Sequence, residues 1–256
     1  MPIPLKDCTG LIPPPHPFSV FLDVDGVLLE IADTPDGVEL PPDLPSILTR
    51  LIQRCDGAVA LVSGRSLAFL EQMFASLPLA MAGLHGVERR MPNGELQVLQ
   101  TSEQQLEELR SALSTFAKAN PTISLEDKGV AIAIHYRSAP EMEATVLGYL
   151  EDMLPRVAPG FHVQPGKMVF EVKPRGMDKG AAIQLMLQTT PFAGRQPIFA
   201  GDDVTDEHGF AVVNANDGIS IKVGDGPETI ARYHVETVSE MRSWLSLLAS
   251  DDPDSH

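Results

Sequence analysis

Short apolar runs alternate with amphipathic stretches along most of this chain, and several of the runs stop abruptly at polar residues. Phe18, Val20, Phe21 and Leu22 read as a buried strand that ends at Asp23 and Asp25. A Pro- and Asp-rich loop follows, then a helix over roughly Asp43 to Arg54. "AVALVSGR", from Ala58 to Arg65, is a second strand with a polar end, and the order strand, helix, strand predicts a parallel α/β unit. "PLAMAGLHGVERR", from Pro78 to Arg90, repeats the form and gives way to His85 and Glu88, while Pro92 to Gly94 predict a hairpin turn.

From about Thr101 the texture changes. Helical periodicity in "SEQQLEELRSALSTFAKAN" and "EMEATVLGYLEDML" alternates with the strand patterns "VAIAIHYR" and "KMVFEVKP", which predicts an inserted α+β unit with its own small sheet. After Lys173 the parallel texture returns: a helix with Asp178 as its N-cap, the strand "PIFAGDD", the segments "DEHGFAVVN" and "GISIKVG", and a terminal helix around "VSEMRSWLSLL". The expected fold is α/β, with a Rossmann-like parallel-sheet core formed by residues 1–101 and 174–256 and an insert at 102–173. No repeat recurs at a fixed period, and "SDDPDSH" reads as a loose tail.

Composition narrows the function. At 256 residues and 43% hydrophobic content the chain can build a packed core. A formal net charge of -16 argues against a nucleic-acid binder, so an anionic substrate must be met by local cations. Cys8 and Cys55 form no CxxC pair, which points to two reduced thiols rather than a disulfide framework or a zinc site. The opening "MPIPLKDCTG" has no long apolar stretch, and no segment approaches the length of a membrane span, so the expectation is a soluble cytoplasmic protein with no membrane partner.

In open α/β sheets, ligands sit outside the carboxyl ends of the strands. Four strands here end in polar clusters: Asp23 and Asp25; Ser63 and Arg65; His85 and Glu88; Asp202, Asp203 and Asp206. Gathered in one crevice, carboxylates repel by roughly 4 kcal/mol per pair at 4 Å and an effective dielectric of 20. A divalent cation removes most of that cost, and oxygen ligands without His or Cys favour Mg2+. Carboxylate nucleophile plus metal suggests phosphoryl transfer, with a second carboxylate two residues on as acid and base.

The same residues resemble the haloacid dehalogenase-like phosphatases: "DVDGV" its nucleophile loop, "VSGR" its Ser/Thr segment, "MDKGAA" its Lys segment and "GDDVTDE" its acidic metal-binding segment, all in order. Within that superfamily, "LDVDGVLLEI", "AGLHGVERR", "KMVFEVKPRGMDKGAAI" and "GDDVTDEHGFAVVN" resemble the bacterial trehalose-6-phosphate phosphatases from about Phe21 to Trp244; Val27 stands where the family usually has Thr.

The resemblance implies Asp23 as nucleophile and metal ligand, Asp25 as acid/base and backbone metal ligand, and Asp202 as the second side-chain ligand. It implies Asp203 and Asp206 in or near the metal's outer shell, Ser63 as donor to the phosphoryl group, Lys179 as its cation and Arg65 as a supporting residue in the substrate crevice. The insert then corresponds to the family's mobile cap, which excludes water on closing, with Glu126, Lys128 and Glu171 holding the distal sugar. Read without the family, the residues favour a solvated charge pair at Glu126 and Lys128 and a surface strand position at Glu171.

The implied activity is Mg2+-dependent hydrolysis of a small phosphosugar, trehalose 6-phosphate, as the last step of trehalose biosynthesis, coupled functionally to a trehalose-6-phosphate synthase. The alternatives are the same chemistry on sucrose phosphate or mannosyl-glycerate phosphate, or a non-catalytic phosphosugar sensor. His85, Glu88, His135 and Arg137 carry no assigned role.

Overall fold

The computed structural model describes residues 2–7, 14, 16–31, 37–98, 102–166, 168–226 and 228–250; Cys8, residues 32–36 of the Pro- and Asp-rich loop, and the tail past Ser250 lie outside the described residues. The chain divides into two compact units, Met1–Val98 with Asp178–His256, and Leu99–Met177.

The first unit contains β1 (Ile3–Pro4), β2 (Phe18–Leu22), α1 (Leu44–Arg54), β3 (Val59–Val62), α2 (Leu67–Met73), β4 (Ala80–Gly83), β5 (Glu88–Arg90) and β6 (Leu96–Val98). The second holds α3 (Glu103–Ala119), β7 (Ser124–Asp127), β8 (Ile132–His135), α4 (Glu143–Val157), β9 (Phe161–Gly166) and β10 (Val169–Pro174). The chain then returns to the first unit through α5 (Lys179–Met186), β11 (Gln196–Gly201), α6 (Glu207–Ala215), β12 (Ile219–Val223), β13 (Tyr233–Val235) and α7 (Val238–Leu248).

The first unit's sheet has nine strands in the order β1-β13-β12-β11-β2-β3-β4-β5-β6. All neighbours from β1 to β4 pair in parallel, whereas β5 and β6 form the antiparallel hairpin. Every residue of β2, β3 and β12 is buried, the continuous apolar signature of strands covered on both faces.

From β2 the chain steps one way, to β3 and β4; on its return it enters at β11, on the other flank of β2, and steps the opposite way. Right-handed crossovers therefore place α1 and α6 on opposite faces, and the contacts agree, with α1 against α7 and α6 against α5. The switch between β2 and β11 opens a crevice at their carboxyl ends, where the "DVDG" and "GDDVTDE" segments lie.

The second unit is a four-stranded antiparallel sheet in the order β7-β8-β10-β9, with its own core. Ile132, Ile134, Phe170 and Val172 of the sheet join Leu106, Leu109 and Leu113 of α3 and Val146 and Leu150 of α4 in that core. Ser102 caps α3, its side chain accepting from Gln105 N–H. Among the described residues no helix is long and apolar enough to cross a membrane.

Leu61, fully buried in β3 beside β2, tests the dependence of the crevice on its sheet. Leu61→Ala should lower unfolding free energy by about 2–5 kcal/mol through lost burial and the cavity left behind, read from urea denaturation midpoints at unchanged slope.

Candidate active site

Asp23 is the first residue past β2. Its N–H still follows the sheet, donating to Ala200 O at 3.0 Å, and its Oδ1 accepts from Val24 N–H at 2.7 Å. The chain then doubles back through Gly26, whose N–H donates to Leu29 O at 2.8 Å. Gly26 has φ +72°, and a Cβ there would lie 2.1 Å from Asp202 Oδ2, so only glycine fits both the turn and the neighbouring acidic segment.

Asp206 folds back on its own segment. Its Oδ2 accepts from the N–H groups of Asp202 and Asp203, each at 3.0 Å, and its Oδ1 accepts from Lys179 Nζ at 2.7 Å. Lys179, the first residue of α5 after the Asp178 cap, also donates to Asp23 Oδ2 at 2.6 Å. Gly180, next in the chain, lets α5 approach α6, because a Cβ there would meet His208 O at 2.5 Å. Asp203 is exposed, and its side chain accepts from Val204 N–H.

One contributor had not been picked out from sequence: buried Lys222 in β12, whose Nζ donates to the backbone oxygen of Asp202. A lone lysine inside the apolar run "GISIKVG" is the signal that marks it.

Carboxylate oxygens of Asp23, Asp202 and Asp206 lie within 4.8 Å of one another. Burial pushes the Asp23 carboxyl up to about 8; Lys179 opposes the shift, while Asp206 and Asp202 add to it. Burial likewise raises Asp202 to about 6, with Asp206 reinforcing the effect. For Lys179, burial alone would favour the neutral amine, but Asp206 and Asp23 outweigh it and hold the ammonium charged.

With all of them ionised, three carboxylates outnumber the Lys179 ammonium and the Lys222 ammonium behind Asp202, which leaves net negative charge for a cation to offset. The all-oxygen donor set fits a hard divalent ion. Asp206 already accepts three hydrogen bonds, so Asp23 and Asp202 have the greater capacity to coordinate, with Asp206 holding Lys179 and the loop behind them.

Asp25 stands outside this cluster: its two oxygens accept from Arg65, from Nε and Nη2, each at 2.8 Å. The buried Ser63 hydroxyl accepts from Arg65 N–H at 3.2 Å, leaving its own proton to donate. Around this turn, Leu84 N–H donates to Arg65 O and His85 N–H to Ser63 O, while Glu88 accepts from Leu67 N–H at the start of α2. Glu88 thereby acquires a definite capping role.

In the second unit, Glu126 of β7 and Glu171 of β10 both pair with Ala133 of β8, so the two carboxylates share the sheet face opposite the apolar core. Lys128 Nζ lies 3.1 Å from Glu171 Oε1, and His135 Nε2 lies 3.1 Å from Glu126 Oε2. Gln164 of β9 is in register with Glu171, on the same row.

The fold is that of a solved haloacid dehalogenase-like hydrolase from Bacteroides thetaiotaomicron, which superposes with a TM-score of 0.67 at 15% identity, covering 89% of this chain and 98% of that one. The trehalose-phosphatase family model matches residues 21–239. A probable trehalose-phosphate phosphatase of Sinorhizobium fredii is 40% identical over 234 residues, spanning 91% of this chain and 88% of the relative. The trehalose-6-phosphate phosphatase of Escherichia coli is also 40% identical, over 91% and 87% of the two chains. A solved trehalose-6-phosphate phosphatase of Aspergillus fumigatus superposes with a TM-score of 0.79 at 25% identity, covering 98% of this chain and all of that one. The chain belongs to the trehalose-phosphatase family and is a phosphatase.

The raised carboxyls set a pH dependence. Because folding lifts Asp23 to about 8 and Asp202 to about 6, the metal-free protein loses their contribution to stability as pH rises through those values. A divalent cation needs both groups ionised and displaces their protons. The increase in Tm on adding Mg2+ should therefore be larger at pH 8 than at pH 6, measured by thermal melts with a chelator as reference; an increase independent of pH would contradict the assignment.

Proposed function

We propose that this phosphatase hydrolyses trehalose 6-phosphate to trehalose and phosphate, with Mg2+ as its metal and an aspartyl phosphate on Asp23 as the intermediate. The observation that carries the reading is the buried contact of Lys179 with Asp23, in a cluster with Asp202 and Asp206, in a chain 40% identical to two trehalose-phosphate phosphatases. Asp23 and Asp202 would hold the Mg2+, which would supply positive charge to draw electron density from the phosphoryl oxygens.

Asp23 is held for in-line attack, one oxygen fixed by Val24 N–H and the other by Lys179. Its carboxylate attacks phosphorus as the bond to the sugar oxygen breaks, and Asp25 gives that oxygen its proton. Water then attacks the phosphorus of the aspartyl phosphate, Asp25 takes its proton back, and phosphate leaves as Asp23 is restored. Lys179 and the Ser63 hydroxyl offset the charge on the phosphoryl oxygens through both displacements.

The second unit serves as the specificity cap in this reading. Glu126, Lys128 and Glu171, set on one sheet face, give carboxylate and ammonium partners to the hydroxyls of the distal glucose. A trehalose-6-phosphate synthase supplies the substrate.

Phosphate release from trehalose 6-phosphate, sucrose 6-phosphate and glucose 6-phosphate, each with Mg2+ and with a chelator, tests the reading directly. Fast Mg2+-dependent turnover of the first alone is expected; preference for another sugar would keep the chemistry and reassign the cap. Asp23→Asn should abolish turnover, by a factor of about 10⁴ or more, since it removes the covalent route. Glu171→Gln should lower kcat/KM for trehalose 6-phosphate while leaving p-nitrophenyl phosphate, which has no second sugar, unaffected.

A further inference from the structure

Arg65 was expected from the sequence to support the substrate, yet its guanidinium is already engaged. Nε and Nη2 donate side by side to the two oxygens of Asp25, each at 2.8 Å. Cζ of the same group lies over the Phe69 ring, 4.6 Å from its centroid. We propose that Arg65 is a positioning residue for Asp25, orienting its carboxylate by a two-point contact rather than gripping the substrate. This rests on Asp25 acting as acid and base in the reaction described above.

The surroundings are built to hold the guanidinium still. Arg65 N–H donates to Ser63 Oγ, and Arg65 O accepts from Leu84 N–H at 2.8 Å, so the backbone is tied on both sides. The segment that ties it contains Leu84 at φ +47° and His85 at φ +56°, left-handed conformations that cost energy in residues with a Cβ. Across from them a Cβ on Gly64 would meet the His85 ring at 2.9 Å, so the "SGR" turn and the strained segment fit closely. Phe69, in the first turn of α2, supplies the ring beneath the guanidinium.

Asp25 needs such a partner because it lacks those that fix Asp23. It lies outside the three-carboxylate cluster, and its side chain is 30% exposed. A proton-transfer group free to rotate spends little time within reach of the reacting oxygen. A planar fork fixes both carboxylate oxygens at once, which an ammonium cannot do.

The test combines Arg65→Gln, Arg65→Lys, Asp25→Asn and the double variant Arg65→Gln/Asp25→Asn, assayed on trehalose 6-phosphate and p-nitrophenyl phosphate. Arg65→Gln should lower kcat about tenfold or more with KM little changed, since positioned acid and base catalysis contributes about 10²–10⁴. Arg65→Lys should fail to rescue it, and in the Asp25→Asn background Arg65→Gln should cost nothing further. A rise in KM at constant kcat, or an equal loss with and without Asp25, would overturn the proposal in favour of direct substrate binding. Should Arg65→Gln not fold, Phe69→Leu carries the same test, with a smaller loss in kcat that again vanishes without Asp25. If the wild type released no phosphate from either ester, the proposed function would fall. The positioning claim would then be decided by a crystal structure of Arg65→Gln or Phe69→Leu, where an unchanged Asp25 side chain overturns it and a displaced or disordered one supports it.

Discussion

A single ammonium group buried between two carboxylates organises the first unit's crevice. Lys179 is 2% exposed, and it joins Asp23, at the end of β2, to Asp206, in the segment after β11. Taking an ammonium out of water is costly, and the cost is met here only because both partners lie within 2.7 Å. The arrangement is nevertheless incomplete in charge: a third carboxylate, Asp202, joins the cluster, and burial raises both Asp23 and Asp202. The fold thus tolerates an electrostatic deficit where a divalent cation would have its strongest hold. The same feature costs stability and creates affinity.

Small residues make that convergence geometrically possible. Gly26, Gly201 and Gly180 each stand where a Cβ would come within 2.5 Å of another atom, respectively in Asp202, Asp206 and His208. These close approaches draw the "DVDG" loop, the acidic segment and the start of α5 to one point at the sheet's switch. The order of strands supplies the rest: β2 and β11 are neighbours in space although most of the chain, including the whole second unit, lies between them in sequence.

Much of this was legible in the sequence because burial writes itself into composition. The runs at Phe18–Leu22, Val59–Val62 and Gln196–Gly201 are strands largely closed off from water, and their polar ends mark the crevice. Ser124–Asp127 and Phe161–Gly166 gave no comparable pattern. They are the edge strands of the smaller sheet, partly exposed and rich in polar residues, and their pairing depends on the neighbour rather than on their own periodicity. In the site, residue types were readable while partnerships were not. "DVDG" announces two carboxylates, but only the fold brings Lys179 from 156 residues away to one of them and Arg65 from 40 residues away to the other. The role of Lys222 is not legible in the sequence for a related reason, since it lies in the contact with the Asp202 carbonyl across the sheet.

The one-residue spacing of Asp23 and Asp25 then has a physical explanation. In the proposed mechanism one carboxylate attacks phosphorus and the other moves a proton, and such opposite tasks need different environments within a few ångströms. Val24 between them is fully buried, and its N–H donates to Asp23 Oδ1, anchoring that carboxylate toward the interior. The turn at Gly26 immediately afterwards leaves Asp25 at the more exposed rim, where Arg65 rather than Lys179 receives it. Had both carboxylates faced the cluster, a fourth negative charge would have deepened the deficit and left no group available to exchange protons with water. The turn that follows β2, rather than strand alternation, thereby separates the proposed nucleophile from the proposed acid and base with a single intervening residue.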